Sequence, residues 1–268
     1  MIRAAFNLSL LPFTKDIDTA HLFMHPQFKE LTARLKMLCY DRGIGSFTGE
    51  IGCGKSTAIR SVLESISPQT HRPVYLYRGL DNIGALYTRI AAELGIIPKF
   101  RKSDVANQVI DAIAELYMQQ KIQTVIIIDE AHLLKADILD EIRLLHNSRF
   151  DSFDYLATAL VGQPSLRKMV NYAKFLPLRQ RISVAYHLDP LSKDQAYDYF
   201  QHQLSTVKAS QKIFMDNAIE TIIATSKGIP RMINTIASKS MNHAAIIKKM
   251  TIVDQECVMD VLEELGLK

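Results

Sequence analysis

Gly49-Glu50-Ile51-Gly52-Cys53-Gly54-Lys55-Ser56-Thr57 is the stretch on which the reading of this chain turns. It fits the pattern G-x-x-x-x-G-K-[ST] at every fixed position. Its glycines let the backbone turn tightly, so that successive N–H groups point at phosphate oxygens. Residues 44–48 before it read as a strand, and residues 56–66 after it as a helix whose positive dipole end adds to the anion site. In that setting Lys55 reaches the β- and γ-phosphates of ATP, the Ser56 hydroxyl binds Mg2+ and Thr57 flanks the α-phosphate. Glu50, Ile51 and Cys53 contribute backbone to the same cradle, and the Cys53 side chain reads as a small filler.

Residues 124–128, Thr-Val-Ile-Ile-Ile, are apolar and largely β-branched, as in a strand buried on both faces. Asp129 and Glu130 follow at once. A carboxylate at the C-terminal end of such a strand lies beside the phosphate loop in open parallel sheets. Asp129 is therefore expected to hold Mg2+, and Glu130 to orient or deprotonate the attacking water. Further strands are expected at 73–77, 157–161 and 184–188, and helices at 28–38, 82–94, 105–117 and 136–147. Strands alternate with helices up to about Leu188, which argues for a parallel sheet covered on both faces. After Pro190 only helices are expected, at 193–205, 216–225, 230–247 and 254–265, with a break at Gly228-Ile229-Pro230. The expected fold is α/β: a five-stranded parallel sheet flanked by helices over residues 1–190, then an all-α domain over 191–268.

Composition narrows the class. The chain has 268 residues, 48% apolar and 22% charged, as in ordinary globular proteins. Its formal net charge of +4 permits an acidic partner without requiring one. Three widely spaced cysteines, Cys39, Cys53 and Cys257, point to a reducing compartment rather than a disulfide framework. No signal peptide is evident, and no stretch approaches the roughly 18 consecutive apolar residues that span a bilayer. The expected location is the cytoplasm, without a membrane partner.

Several motifs recur in one order. They are Asp129-Glu130-Ala131-His132; Gly162-Gln163-Pro164 after a strand; Arg179-Gln180-Arg181-Ile182; and Gly228-Ile229-Pro230-Arg231. The opening, from Phe6 through Pro12-Phe13, with Leu22-Phe23 and Arg42-Gly43-Ile44-Gly45, belongs to the same pattern. Together they resemble the ExeA-like branch of the AAA+ ATPases, over nearly the whole chain. That family includes a secretion-system ATPase and ATPases encoded beside DDE transposases, and it is similar to the target-selecting ATPases TnsC, MuB and IstB. The resemblance implies that the sheet region is an AAA+ P-loop domain and the helical region its lid. It makes Gln163 the polar sensor at the end of the fourth strand, against a plain role in shaping the turn before Pro164. It makes Arg231 a second sensor reaching ATP in the same chain. Arg181 fits the finger that enters a neighbour's site, with Arg179 as its rival, since a planar guanidinium suits the charge on a transferring phosphoryl group. Phe13, His25 and Phe28 line the adenine pocket in the family; ordinary packing is the alternative here. His132 has no partner ligands at metal-binding spacing and reads as a helix-start residue near the site.

Lys99, Arg101 and Lys102 form a short basic cluster between two expected helices, and Lys135 follows the Asp129-Glu130 strand end. In the transposition ATPases, DNA runs through the assembly held by such loops. The implied partners are duplex DNA contacted at phosphates, a DDE transposase and further copies of the same chain in a ring or helical filament. No base-reading motif is present, so binding is expected to be independent of sequence. The competing expectation is a cell-envelope ATPase of a secretion pathway. The family's secretion members carry a membrane span and a peptidoglycan-binding region after the ATPase, and their absence here tilts the expectation towards transposition.

Overall fold

The computed structural model describes residues 2–14, 17–147, 154–207 and 212–267. The chain divides into two compact units, a sheet unit (Pro26–Gly49 and Lys55–Leu188) and a helical unit (Met1–His25, Glu50–Gly54 and Asp189–Lys268).

Five strands build the sheet unit: β1 (Gly43–Gly49), β2 (His71–Leu76), β3 (Gln123–Ile128), β4 (Leu156–Gly162) and β5 (Ile182–Leu188). Their order is β2-β3-β4-β1-β5 and every pairing is parallel. β3 and β4 are central and buried at every position, which is why their sequences lack polar alternation. β5 lies at an edge and alternates loosely between covered and open positions. Ile126 and Ile128 of β3 and Leu156 and Leu160 of β4 share a core with three helices. These are α4 (Ile83–Leu94), α5 (Lys102–Gln120) and α6 (Ala136–Leu145), which supply Leu86, Ile90, Val109, Ile113, Ile138 and Ile142. The other sheet face carries α2 (Pro26–Asp41), numbered after the short α1 (Ile2–Ala5) of the helical unit. A Cβ on Gly45 would come within 2.6 Å of Leu38 Cδ2, so glycine lets α2 lie close to β1.

The register delivers the chemistry to one end of the sheet. Thr48 pairs with Gly162, and Ile128 with Leu160. Gly49, Asp129 and Gln163 therefore leave the C-terminal ends of three adjoining strands, where ligands bind in open α/β sheets. From Gly49 the chain enters the glycine-rich loop and then α3 (Lys55–Ser65). Two short helices, α7 (Pro164–Val170) and α8 (Leu176–Arg181), follow β4, each with proline in its first turn.

In the helical unit, α9 (Lys193–Ser205), α10 (Asp216–Ser226), α11 (Pro230–Asn242) and α12 (Gln255–Glu264) surround a core of Phe200, Phe214, Ile219, Ile233 and Val258. A capping box of Ser192 and Gln195 starts α9. The helix expected over 230–247 is α-helical only to Asn242; residues His243–Lys248 continue it as a π-helix that ends on Lys249 in the left-handed region, φ 53°. Phe6 and Phe13 are part of this core, and Phe13 packs against Phe200 and Phe214 at ring distances of 4.8 and 5.9 Å. His25 is buried beside Phe23, while Phe28 is buried on α2 in the sheet unit.

Candidate nucleotide site

In the sheet unit, β1 ends at Gly49, where a Cβ would stand 2.6 Å from Leu188 O and only glycine fits. Lys55 opens α3 and is only 8% exposed; its Nζ donates to Gly49 O at 2.7 Å, so the ammonium is folded back onto the end of β1. Ser56 Oγ donates to Asp129 Oδ2 at 3.1 Å. Asp129 is buried and accepts two further bonds, from Tyr75 OH on Oδ2 at 2.7 Å and from Glu130 N–H on Oδ1 at 2.9 Å. Burial of charge demands such partners.

Glu130 stands at φ 56° in the left-handed region. For a residue with a side chain that conformation costs about 1–2 kcal/mol, and such strain clusters at functional sites. It turns the chain into a 3-10 turn, Ala131–Leu133, and places the carboxylate within 3.5 Å of His132 Nδ1. The same ring nitrogen accepts from Gln163 N–H at 3.5 Å. Nδ1 serves Glu130 when protonated and Gln163 when not, so His132 stands between the candidate catalytic acid and the candidate sensor. Gly162 makes room for it: a Cβ there would lie 3.2 Å from His132 N and 3.3 Å from Nδ1. Tyr75 and the double contact of His132 were absent from the sequence reading, because they arise from strand pairing rather than from any motif.

In the helical unit, the segment Glu50–Gly54 is shaped by Gly52 and Gly54, at φ 86° and 111°, and by Cys53 N–H donating to Glu50 O at 3.3 Å. Cys53 is buried and Ile51 is exposed. Arg231 sits in the first turn of α11 and its backbone N–H donates to Gly52 O at 3.2 Å. A Cβ on Gly52 would fall 2.6 Å from Arg231 Cβ.

The finger candidates lie on α8 of the sheet unit. Arg179 is exposed. Arg181 is half-buried and lines a cavity of about 620 Å3 with Arg143, His146, Asp154 and Gln180. His146, itself buried, connects Asp154 at 3.2 Å to Thr158 at 2.9 Å. Lys99 and Arg101 are exposed in the connection between α4 and α5, with Phe100 fully exposed between them. Gln108 of α5 fixes that connection by bonding Ile97 O at 3.1 Å and Lys99 N–H at 3.2 Å. The side chain of Lys102 lies outside the described residues. Lys135 is exposed at the N-cap of α6.

Cys39, Cys53 and Cys257 are buried and none of them is in a disulfide. No helix among the described residues is long and apolar enough to cross a membrane.

A parallel sheet with a phosphate loop after β1, an acid pair after β3 and a helical C-terminal region defines a P-loop ATPase of the AAA+ kind. The chain belongs to the AAA domain family, whose model matches residues 37–170, half of its length. It is 29% identical over 267 residues to general secretion pathway protein A of Aeromonas hydrophila, covering 98% of this chain and 48% of that protein. The chain thus spans about half the length of this curated relative. Among solved structures it resembles Cdc6p from Pyrobaculum aerophilum, with a TM-score of 0.74 at 18% identity over 94% of this chain and 70% of that one. It also resembles the Aeropyrum pernix ORC1 protein, solved in complex with DNA, with a TM-score of 0.72 at 15% identity over 94% of this chain and 68% of that one. The family and the site make the chain an ATP-hydrolysing enzyme of the AAA+ kind.

Proposed function

We propose that this chain is a Mg2+-dependent ATPase that assembles head to tail on duplex DNA and recruits a DDE transposase to it. The observation that carries its catalytic core is the hydrogen bond from Ser56 to the buried Asp129, beside a buried Lys55, with Glu130 next in sequence. Lys55 binds the β- and γ-phosphates, and the loop from Gly49 to Thr57 cradles them. Ser56 and Asp129 offer the hard oxygen donors that suit Mg2+. Two protein oxygens fill only part of the coordination of Mg2+, and nucleotide phosphates and water would supply the rest. Bound there, Mg2+ would neutralise charge developing on the phosphoryl oxygens. Glu130 orients or deprotonates the attacking water. Gln163 and Arg231 sense the γ-phosphate within one chain, and Arg181, with Arg179 as its rival, supplies a guanidinium to the neighbour's site. A finger acting in trans requires a heterologous interface, which closes into a ring or continues as a filament.

Support for DNA comes from the connection between α4 and α5 and from Lys135. Gln108 gives that connection a fixed shape that presents Lys99 and Arg101 outward. With Lys102 these cations would repeat around an assembly axis and follow a phosphate backbone without reading sequence. Likeness of fold to a protein solved with DNA is in keeping with this. The recruitment of a transposase rests on the resemblance to transposon-encoded ATPases. The second reading, a secretion-pathway ATPase, is favoured by the 29% identity to the Aeromonas protein across 98% of this chain. Fluorescence anisotropy of a labelled duplex decides between them. Salt-sensitive binding with ATPγS and its loss with ADP supports the transposition reading; no binding with ATPγS at low salt passes the case to the secretion reading.

A further inference from the structure

β2 is an edge strand, and its register sets Tyr75 opposite Ile127, two residues before Asp129. Asp129 thereby receives a donor from an element 54 residues away in the chain. Its Oδ2 accepts from Tyr75 OH at 2.7 Å and from Ser56 Oγ at 3.1 Å, and its Oδ1 accepts from Glu130 N–H at 2.9 Å. A carboxylate oxygen has two acceptor positions. Two hydroxyls fill those of Oδ2, whereas Oδ1 has taken one donor and keeps one position open to a further partner.

The tyrosine is braced on its outer side. Its ring stacks on Tyr77 at 5.8 Å and 24°, and the Arg78 guanidinium lies over Tyr77 at 5.1 Å. The hydroxyl is the donor in this bond, since a carboxylate oxygen only accepts. A ring needed for packing alone requires no hydroxyl, and a half-buried hydroxyl is costly unless paired.

We propose that Tyr75 is a positioning residue whose hydroxyl fixes the orientation of the Asp129 carboxylate, the group that would hold the metal. The inference rests on the reading of Asp129 as the acid that holds Mg2+. Tyr75 touches neither nucleotide nor metal in this account; it acts through Asp129 alone.

The test uses the full chain and a fluorescent ATPγS analogue, with nucleotide binding followed by anisotropy against free Mg2+ and in EDTA. Tyr75→Phe is expected to raise the Mg2+ concentration for half-maximal binding about tenfold, the size of one hydrogen bond to a charged group. Affinity in EDTA is expected to stay unchanged, and the substitution is expected to add nothing in an Asp129→Asn background. An unchanged Mg2+ midpoint, or an equal shift in the Asp129→Asn background, overturns the inference. Tyr75→Leu guards against a packing effect: a hydroxyl role gives it the same Mg2+ shift as Tyr75→Phe, and a larger shift overturns the proposal. If Asp129→Asn alone leaves the Mg2+ dependence intact, the reading of Asp129 itself falls, which is distinguishable from a failure confined to Tyr75.

Discussion

Replacing Glu130 by glycine and by alanine separates the cost of its backbone from the work of its carboxylate. Both variants lose the acid, and both lose the contact to His132, which is 3.5 Å long and joins a Glu130 side chain that is 45% exposed. An ion pair so open contributes about 0–1 kcal/mol, and it cancels in the comparison. What differs is the fit to φ 56°. Alanine keeps the left-handed penalty of about 1–2 kcal/mol; glycine relieves it but gives back about 0.5–1 kcal/mol through its freer unfolded chain. Glu130→Gly should therefore be more stable than Glu130→Ala by about 0.5–1 kcal/mol, a rise in thermal midpoint of about 2 °C for a chain of this size. Differential scanning fluorimetry without nucleotide reads the difference, and phosphate release should be lost in both. A glycine variant that melts at or below the alanine variant refutes the idea that the chain maintains strain here for the sake of the acid.

Other expectations follow from the same geometry. Arg181→Ala should lose ATP turnover yet bind nucleotide normally, and mixing it with Lys55→Ala subunits should restore activity at joints that pair an intact pocket with an intact finger; folded, co-assembling mixtures without recovery count against a role in trans. Replacing Lys99, Arg101 and Lys102 together by Glu should weaken duplex binding alike for all sequences and flatten its salt dependence, with nucleotide affinity unchanged; unaltered anisotropy would move the DNA surface elsewhere. Burial pushes the Cys39 thiol up to about 12. The folded chain then keeps a proton that the unfolded chain releases near the ordinary thiol value of about 8.5, so stability should fall as pH rises from there towards 12. Urea unfolding of the wild type and Cys39→Ala across that range reads this fall, which should be shallower in the variant by the share that Cys39 contributes.

The parts of the fold that were legible were those in which local pattern and burial agree. The run Thr124–Ile128 is buried on both faces, so its composition alone marks a central strand. β5 was read only from Val184 because its first residues, at an edge, are half open. α7 and α8 escaped notice: at 7 and 6 residues they are too short for a helical period, and only Pro164 and Pro177 in their first turns mark them. The phosphate loop and the acid pair were legible because their chemistry is carried by neighbours in sequence. Tyr75 was not, since its bond to Asp129 depends on the register between β2 and β3. The packing of Phe13 against Phe200 and Phe214 was equally out of reach, for it joins segments nearly two hundred residues apart.

The central claim is that Lys55 binds ATP and Glu130 drives its hydrolysis. Nucleotide affinity and phosphate release, measured side by side for the wild type, Lys55→Ala and Glu130→Gln, test it most directly. The account predicts that Lys55→Ala loses tight binding and turnover together, because the phosphate charge loses its main side-chain cation, while Glu130→Gln binds ATP as the wild type does and falls in turnover by about a hundredfold or more, the contribution of a positioned general base. A Glu130→Gln chain that releases phosphate at the wild-type rate would contradict it.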